Sequence, residues 1–238
     1  MNELVKVMPN FRKFNDYINN VKNNTSPIML SGLTDSAKTH FAYSSYFYAE
    51  KPVCIITYNE IQAKKILKDL GYFSQKIVYF PKREILAYDY LAESKDISYD
   101  RINCLNAIYN KNAKIIVTTI EAVSQEIISK TALFSSVFEL EENMTIDLED
   151  IKIKLNSLGY ERCDLVEQAS QYSVRGGIID IGISSKKGIR IELWGDEIDS
   201  IREFDIETQR STDKIKKVTI YPATEFVLEQ NLQNIAKK

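Results

Sequence analysis

Within the stretch from Tyr172 to Asp205, runs of apolar and polar residues alternate with a period of two. Ile189, Ile191 and Leu193 alternate with Arg190, Glu192 and Trp194, and Tyr172 and Val174 with Ser173 and Arg175. A strand turns successive side chains to opposite faces, so this rhythm specifies an antiparallel sheet with one face buried and one in water. Gly195-Asp196, between two such runs, fits a two-residue hairpin with glycine first, the type II′ preference. Gly176 and Gly177 are expected to mark a bulge or a close approach of two backbones. The stretch 159–205 therefore predicts a helix end, a polar connector and a stiff three-stranded meander that holds out Arg162 and Arg175 as a pair.

The first half has another rhythm. Short apolar runs at 26–32, 52–58, 76–80 and 114–120 are read as buried strands, separated by helical stretches at 34–50, 60–70 and 98–110. Strands alternating with helices at this spacing imply a parallel sheet with helices on both faces. Residues 2–22 form an amphipathic pattern that Pro9 splits in two. Asn59 is placed to cap the helix after it and Gly71 to end it. From about Thr119 the pattern changes. A helical stretch at 121–129 is followed by strand character at 135–146, then by a helix at 148–158 that Asp147 can cap. After the meander, 216–223 has strand character again, and a helix is expected from 224 to the last residue. The fold class is thus α/β, a parallel-sheet domain over 1–126, joined to a small α+β domain with an antiparallel meander over 127–218.

The 238 residues are 44% hydrophobic and 27% charged, an ordinary globular balance. No run approaches the roughly 18 apolar residues that cross a bilayer, and MNELVKVMPN lacks the apolar core of a signal peptide. Cys54, Cys104 and Cys163 lie far apart without metal spacing, so a cytoplasmic setting is expected and a disulfide framework is not. His40 is the single histidine, which argues against a histidine-based metal or triad site. Residues 1–126 carry 16 Lys and Arg against 13 Asp and Glu, while the remainder carries 15 against 20. The meander domain is therefore acidic, unlike a domain built to grip phosphates.

GLTDSAKT, 32–39, stands where a phosphate loop belongs, between an expected strand and a helix. The pattern G-x-x-x-x-G-K-[ST] is matched by Gly32, Lys38 and Thr39, but Ala37 replaces the second glycine. There the backbone must approach the phosphates closely, and a Cβ intrudes. Asp35 adds a carboxylate that repels phosphate, and no apolar strand ending in Asp-Glu follows to orient magnesium. A weak or absent ATP site is expected, with no metal and no catalytic residue. Asp196, Glu197 and Asp199 are expected to be a solvated turn, and Trp194 a packing or exposed sheet residue.

Four segments together carry a family resemblance: the degenerate loop, FPKREILAYDYL at 80–91, IIVTTIEAVSQ at 115–125, and the block running from GYERCDLVEQASQYSVRGGIIDIG through IRIELWGDEIDSIREFDIETQRS to YPATEFVL. The chain resembles the N-terminal part of the bacterial transcription-repair coupling factors (Mfd), which is itself similar to the excision-repair protein UvrB. UvrB-like proteins keep an intact GxxxxGKT loop and a long tyrosine-rich hairpin. Here YDYLAESKDISYDR runs almost directly into a helix, and Ala37 spoils the loop, so the coupling-factor likeness is favoured.

The resemblance implies a P-loop-NTPase-like first domain with a defunct nucleotide site, a second domain that binds UvrA, and, from 219 to 238, the start of a segment returning to the first domain. It implies that the full protein is an ATP-driven DNA translocase that displaces stalled RNA polymerase, with ATP and magnesium held by motor domains beyond this chain. Double-stranded DNA and RNA polymerase would be met through those parts, and a C-terminal domain would mask the UvrA face. The family arginines that contact UvrA match Arg162 and Arg175, and Tyr172 is expected to add an aromatic anchor. Where the family continues DIFP, this chain has Asp180, Ile181, Gly182 and Ile183, so an aromatic contact is missing or supplied elsewhere. The bland alternative makes both arginines surface residues paired with Glu161, Asp164 or Glu192. The other functional classes are a weakly DNA-binding module and an ATP-binding UvrB-like one.

Overall fold

The computed structural model describes residues 3–74, 76–83 and 95–225. The expectations for 84–91, for the hairpin comparison across 88–94 and for a terminal helix beyond 225 lie outside these residues. Two compact units emerge: 1–82 with 104–125, and 83–103 with 126–238, the division falling inside the helix Lys95–Tyr109.

In the first unit, strands β1 (Val53–Thr57), β2 (Ile77–Phe80) and β3 (Ile115–Thr119) form a parallel sheet in the order β1-β3-β2. One face carries Val53, Ile55, Ile115 and Val117 and packs against Ala63, Ile66, Leu67 and Leu70 of the helix Glu60–Gly71 and against Tyr43 and Tyr46 of the helix Asp35–Ala49. Asn59 caps its helix as expected, its side chain accepting from the Gln62 N–H at 2.9 Å. The amphipathic N-terminal pattern becomes a turn of helix, a 3-10 turn at Met8–Asn10 and the helix Arg12–Lys22, so Pro9 does split it. Phe14 meets Phe41 and Tyr48 edge-on at 5.2 and 5.7 Å between ring centres.

One expected strand does not form. Residues 26–31 take no regular structure and pair with no strand among the described residues, and Met29 is almost fully exposed. The apolar run there is only Ile28-Met29-Leu30 between Pro27 and Gly32, and hydrophobicity over three residues cannot distinguish a buried strand from a bare connector. The expected helix at 121–129 forms only as the short Ile120–Val123, and a separate helix, Lys130–Ser135, follows the span.

The second unit is built on a six-stranded sheet: β5 (Glu161–Arg162), β6 (Gln171–Arg175), β7 (Ile178–Gly182), β8 (Lys187–Trp194), β9 (Glu197–Asp205) and β10 (Ser211–Ile215), in spatial order β10-β9-β8-β7-β6-β5. All pairings are antiparallel except β5 with β6. The alternation holds: Tyr172, Ile179, Ile181, Ile189, Ile191, Ile198 and Ile201 face the helix Leu148–Ser157 and bury Ile151 and Leu155 with them. Each fully buried side chain of this size contributes about 1.5–3 kcal/mol. A two-stranded ladder of β4 (Phe138–Glu141) with β11 (Lys217–Ile220) adds Leu140 and Ile220 to the same core. Asp147 caps the helix, accepting from the N–H groups of Glu149 and Asp150.

The turns are set by glycine. Gly195 has φ +63°, and it alone of the Gly195-Asp196 pair is left-handed, as a type II′ turn requires. Gly176 and Gly177 form the β6–β7 hairpin turn rather than a bulge inside a strand, because Arg175 pairs directly with Ile178. Close approach does occur at Gly177, whose carbonyl accepts from the Leu193 N–H at 2.8 Å.

Candidate functional site

Arg175 ends β6 and points away from the helix-covered core, on the face shared by Ser173, Asp180 and Arg190. Its Nη2 donates to Asp180 Oδ2 at 2.7 Å, while its side chain stays 47% exposed. Asp180 has no exposed surface and also accepts two bonds from Arg190, Nε to Oδ1 at 2.7 Å and Nη2 to Oδ2 at 2.9 Å. That bidentate pair raises the Arg190 guanidinium further above its ordinary pKa, mainly through the Asp180 hydrogen bonds. The Arg190 guanidinium carbon lies over Phe204, 4.8 Å from the ring centre, and Arg190 donates to the Gln209 carbonyl at 3.2 Å. One buried carboxylate therefore holds two guanidiniums, one enclosed and one reaching solvent. The partner of Arg175 is thus Asp180, and not Glu161, Asp164 or Glu192.

Arg162 belongs to the two-residue edge strand β5 and is exposed, with no ion pair among the described residues. Paired residues of a parallel ladder share a face, and Arg162 lies opposite Tyr172. Arg175 is three residues further along β6 and on the other face. The expectation of one arginine pair on one surface is corrected accordingly: the two flank the same sheet edge from opposite faces. Beyond Tyr172 this edge carries no strand among the described residues, only the connector at 163–170, where Ser173 Oγ donates to the Asp164 carbonyl at 2.8 Å.

Tyr172 cannot be a partner contact. It is completely buried in the helix-side core, and its hydroxyl bonds Asn156 Oδ1 at 3.0 Å. Its place in the alternation fixed this outcome, since Tyr172 shares the phase of Ile179 and Ile181 across the ladder. Gly182 leaves no room for an aromatic either. A Cβ there would sit 2.2 Å from the Gln168 carbonyl oxygen, because the connector folds down over β7. Trp194, by contrast, stands 85% exposed at the β8–β9 turn.

Around the degenerate loop, the helix starts at Asp35, so only Leu33 and Thr34 separate it from Gly32. A phosphate loop offers the backbone N–H groups of this stretch to its ligand, but here Ala37 and Lys38 are wound into the first turns, and the Lys38 N–H donates to the Thr34 carbonyl at 2.9 Å. Asp35 is ion-paired to Lys65 at 2.9 Å and to Lys38 at 3.4 Å. Its carboxyl is held below the ordinary range by those lysines, chiefly Lys65. Thr39 is buried, its hydroxyl turned to the Asp35 carbonyl at 3.3 Å. The His40 Nε2 meets the Leu4 carbonyl at 2.9 Å and its ring stacks on Phe73. Among the described residues no cluster of His, Cys, Asp and Glu could hold a metal, and no helix is long and apolar enough to cross a membrane.

Sequence comparison adds two findings. Residues 138–226 match the family described as the UvrB interaction domain. Over 90% of its length the chain is 30% identical to a transcription-repair-coupling factor of Bacillus subtilis. It is 31% identical over 86% of its length to one of Staphylococcus haemolyticus, and 32% over 89% to one of Staphylococcus epidermidis. The chain spans only 18–19% of the length of these relatives.

Proposed function

We propose, from the match of residues 138–226 to the UvrB interaction domain family and the similarity of the chain to transcription-repair-coupling factors, that this chain is a non-catalytic docking module that presents Arg162 and Arg175 to UvrA in nucleotide-excision repair. The observation that carries the proposal is the arrangement at Asp180. A buried carboxylate fixes Arg175 while leaving it half in water, which is how a guanidinium is kept ready for a second acceptor. Arg162, unpaired at the same sheet edge, supplies a second fork. Translocation on double-stranded DNA, displacement of RNA polymerase and masking of the docking face by a C-terminal domain are, in this reading, work of other parts of a longer protein.

Single Arg162→Ala and Arg175→Ala changes are expected each to weaken UvrA binding by about 2 kcal/mol, roughly thirtyfold in Kd. Surface-plasmon measurements on immobilised chain give these numbers, and unchanged affinity in both folded variants refutes the assignment. The first unit is proposed to hold no nucleotide. The support is that Asp35 already occupies Lys38 and that the N–H groups of Ala37 and Lys38 lie within the helix.

A further inference from the structure

The sheet face that carries Arg175 continues across β8, β9 and β10, where Arg202 is half-buried and Lys214 exposed. Cross-strand register places Asp180, Arg190, Arg202 and Lys214 side by side in one row across β7, β8, β9 and β10. Strands stand about 4.8 Å apart, so three cations follow one another at that spacing, and Arg175, two residues along β6 from the row, lies about 16 Å from Arg202 on the same face. Like charges directly opposite each other destabilise a sheet unless matched. Arg190 is matched by Asp180, and Lys214 Nζ lies 3.0 Å from Glu142 Oε1, though not aligned for a hydrogen bond. Arg202, half-buried between them, meets no carboxylate among the described residues. Glu192, two residues along β8 from Arg190 and on the same face, accepts instead from Ser200 Oγ at 2.7 Å. A cation is thus held in a like-charged row with no counterion of its own.

We propose that this row docks a carboxylate-bearing segment of the protein partner, with Arg202 as a third contact beyond Arg162 and Arg175. The proposal rests on the docking function above, since Arg175 shares the face. Charge complementarity points to an acidic partner surface, and a planar fork at Arg202 can take a carboxylate bidentately. A protein rather than a nucleic acid is favoured because residues 127–238 carry an excess of Asp and Glu, which opposes a polyphosphate backbone.

The test uses the whole chain and purified UvrA, with Arg202→Gln, Arg202→Glu and Arg175→Ala measured beside the wild type. Arg202→Gln is expected to lower UvrA affinity roughly tenfold and Arg202→Glu more. Its thermal midpoint should be unchanged or higher, because no ion pair is lost and a like-charge neighbour is removed. Absence of UvrA binding by the wild type would sink the docking function itself. Binding that weakens in Arg175→Ala but not in either Arg202 variant leaves that function standing and overturns this inference. So does a clear fall in the Arg202→Gln midpoint, which makes the side chain structural. A variant that loses affinity for duplex DNA while keeping UvrA binding overturns it too, by assigning the row to nucleic acid.

Discussion

A carboxylate shut away from water must be matched donor for donor, and Asp180 receives three hydrogen bonds from two guanidiniums. Removing it would strand Arg190, whose side chain is only 15% exposed, without a counter-charge. Breaking such a pair typically costs about 3–5 kcal/mol, so Asp180→Ala is expected to lower the unfolding free energy of the second unit by that much. Urea denaturation followed by fluorescence measures it, and a loss below about 1 kcal/mol would mean that the pair is dispensable. Gly182→Ala is expected to cost about 1–3 kcal/mol by pushing the Gln168 backbone away. Neither role is visible in sequence. Alternation puts Asp180 on the polar face, where an acid is ordinarily solvated, and only the register of three strands reveals that two arginines enclose it. Tyr172 is the converse: the alternation already placed it with the core, and its aromatic chemistry suggested a surface role that its phase denied.

Among the elements, the helix Asp35–Ala49 determines what the degenerate loop can do. The loop pattern puts Asp35 inside the loop as a source of repulsion; in the structure it is the first helical residue and a partner of Lys65 and Lys38. Because its carboxyl is lowered, this pairing is complete above the ordinary carboxylate pKa of about 3.9 and is lost as pH falls through the lowered value. Carbon-detected NMR titration should give Asp35 a midpoint below that ordinary value, rising towards it in Lys65→Ala; an ordinary midpoint in the wild type would contradict the pairing. Calorimetry with ATP and magnesium should show no saturable binding at micromolar concentrations, and tight binding lost in Lys38→Ala would reverse this assignment. A long alternating element such as β8 was legible because every second residue repeats the message. The connector 26–31 was not, since three apolar residues carry no phase.

At the scale of the whole molecule, the two units follow the two sequence rhythms: helix and strand in turn for the parallel sheet, period two for the meander. The family likeness concentrates in the second unit, where the match to residues 138–226 lies. The docking proposed for that unit calls for no nucleotide and no catalytic group, only Arg175 held by Asp180 and an exposed Arg162 along one sheet edge. Titration calorimetry of purified UvrA into the folded chain, wild type against the Arg162→Ala/Arg175→Ala double variant, tests this most directly. Saturable binding that falls by about a hundredfold or more in the double variant is the predicted result. Equal affinity of the two, with both chains folded, would contradict it.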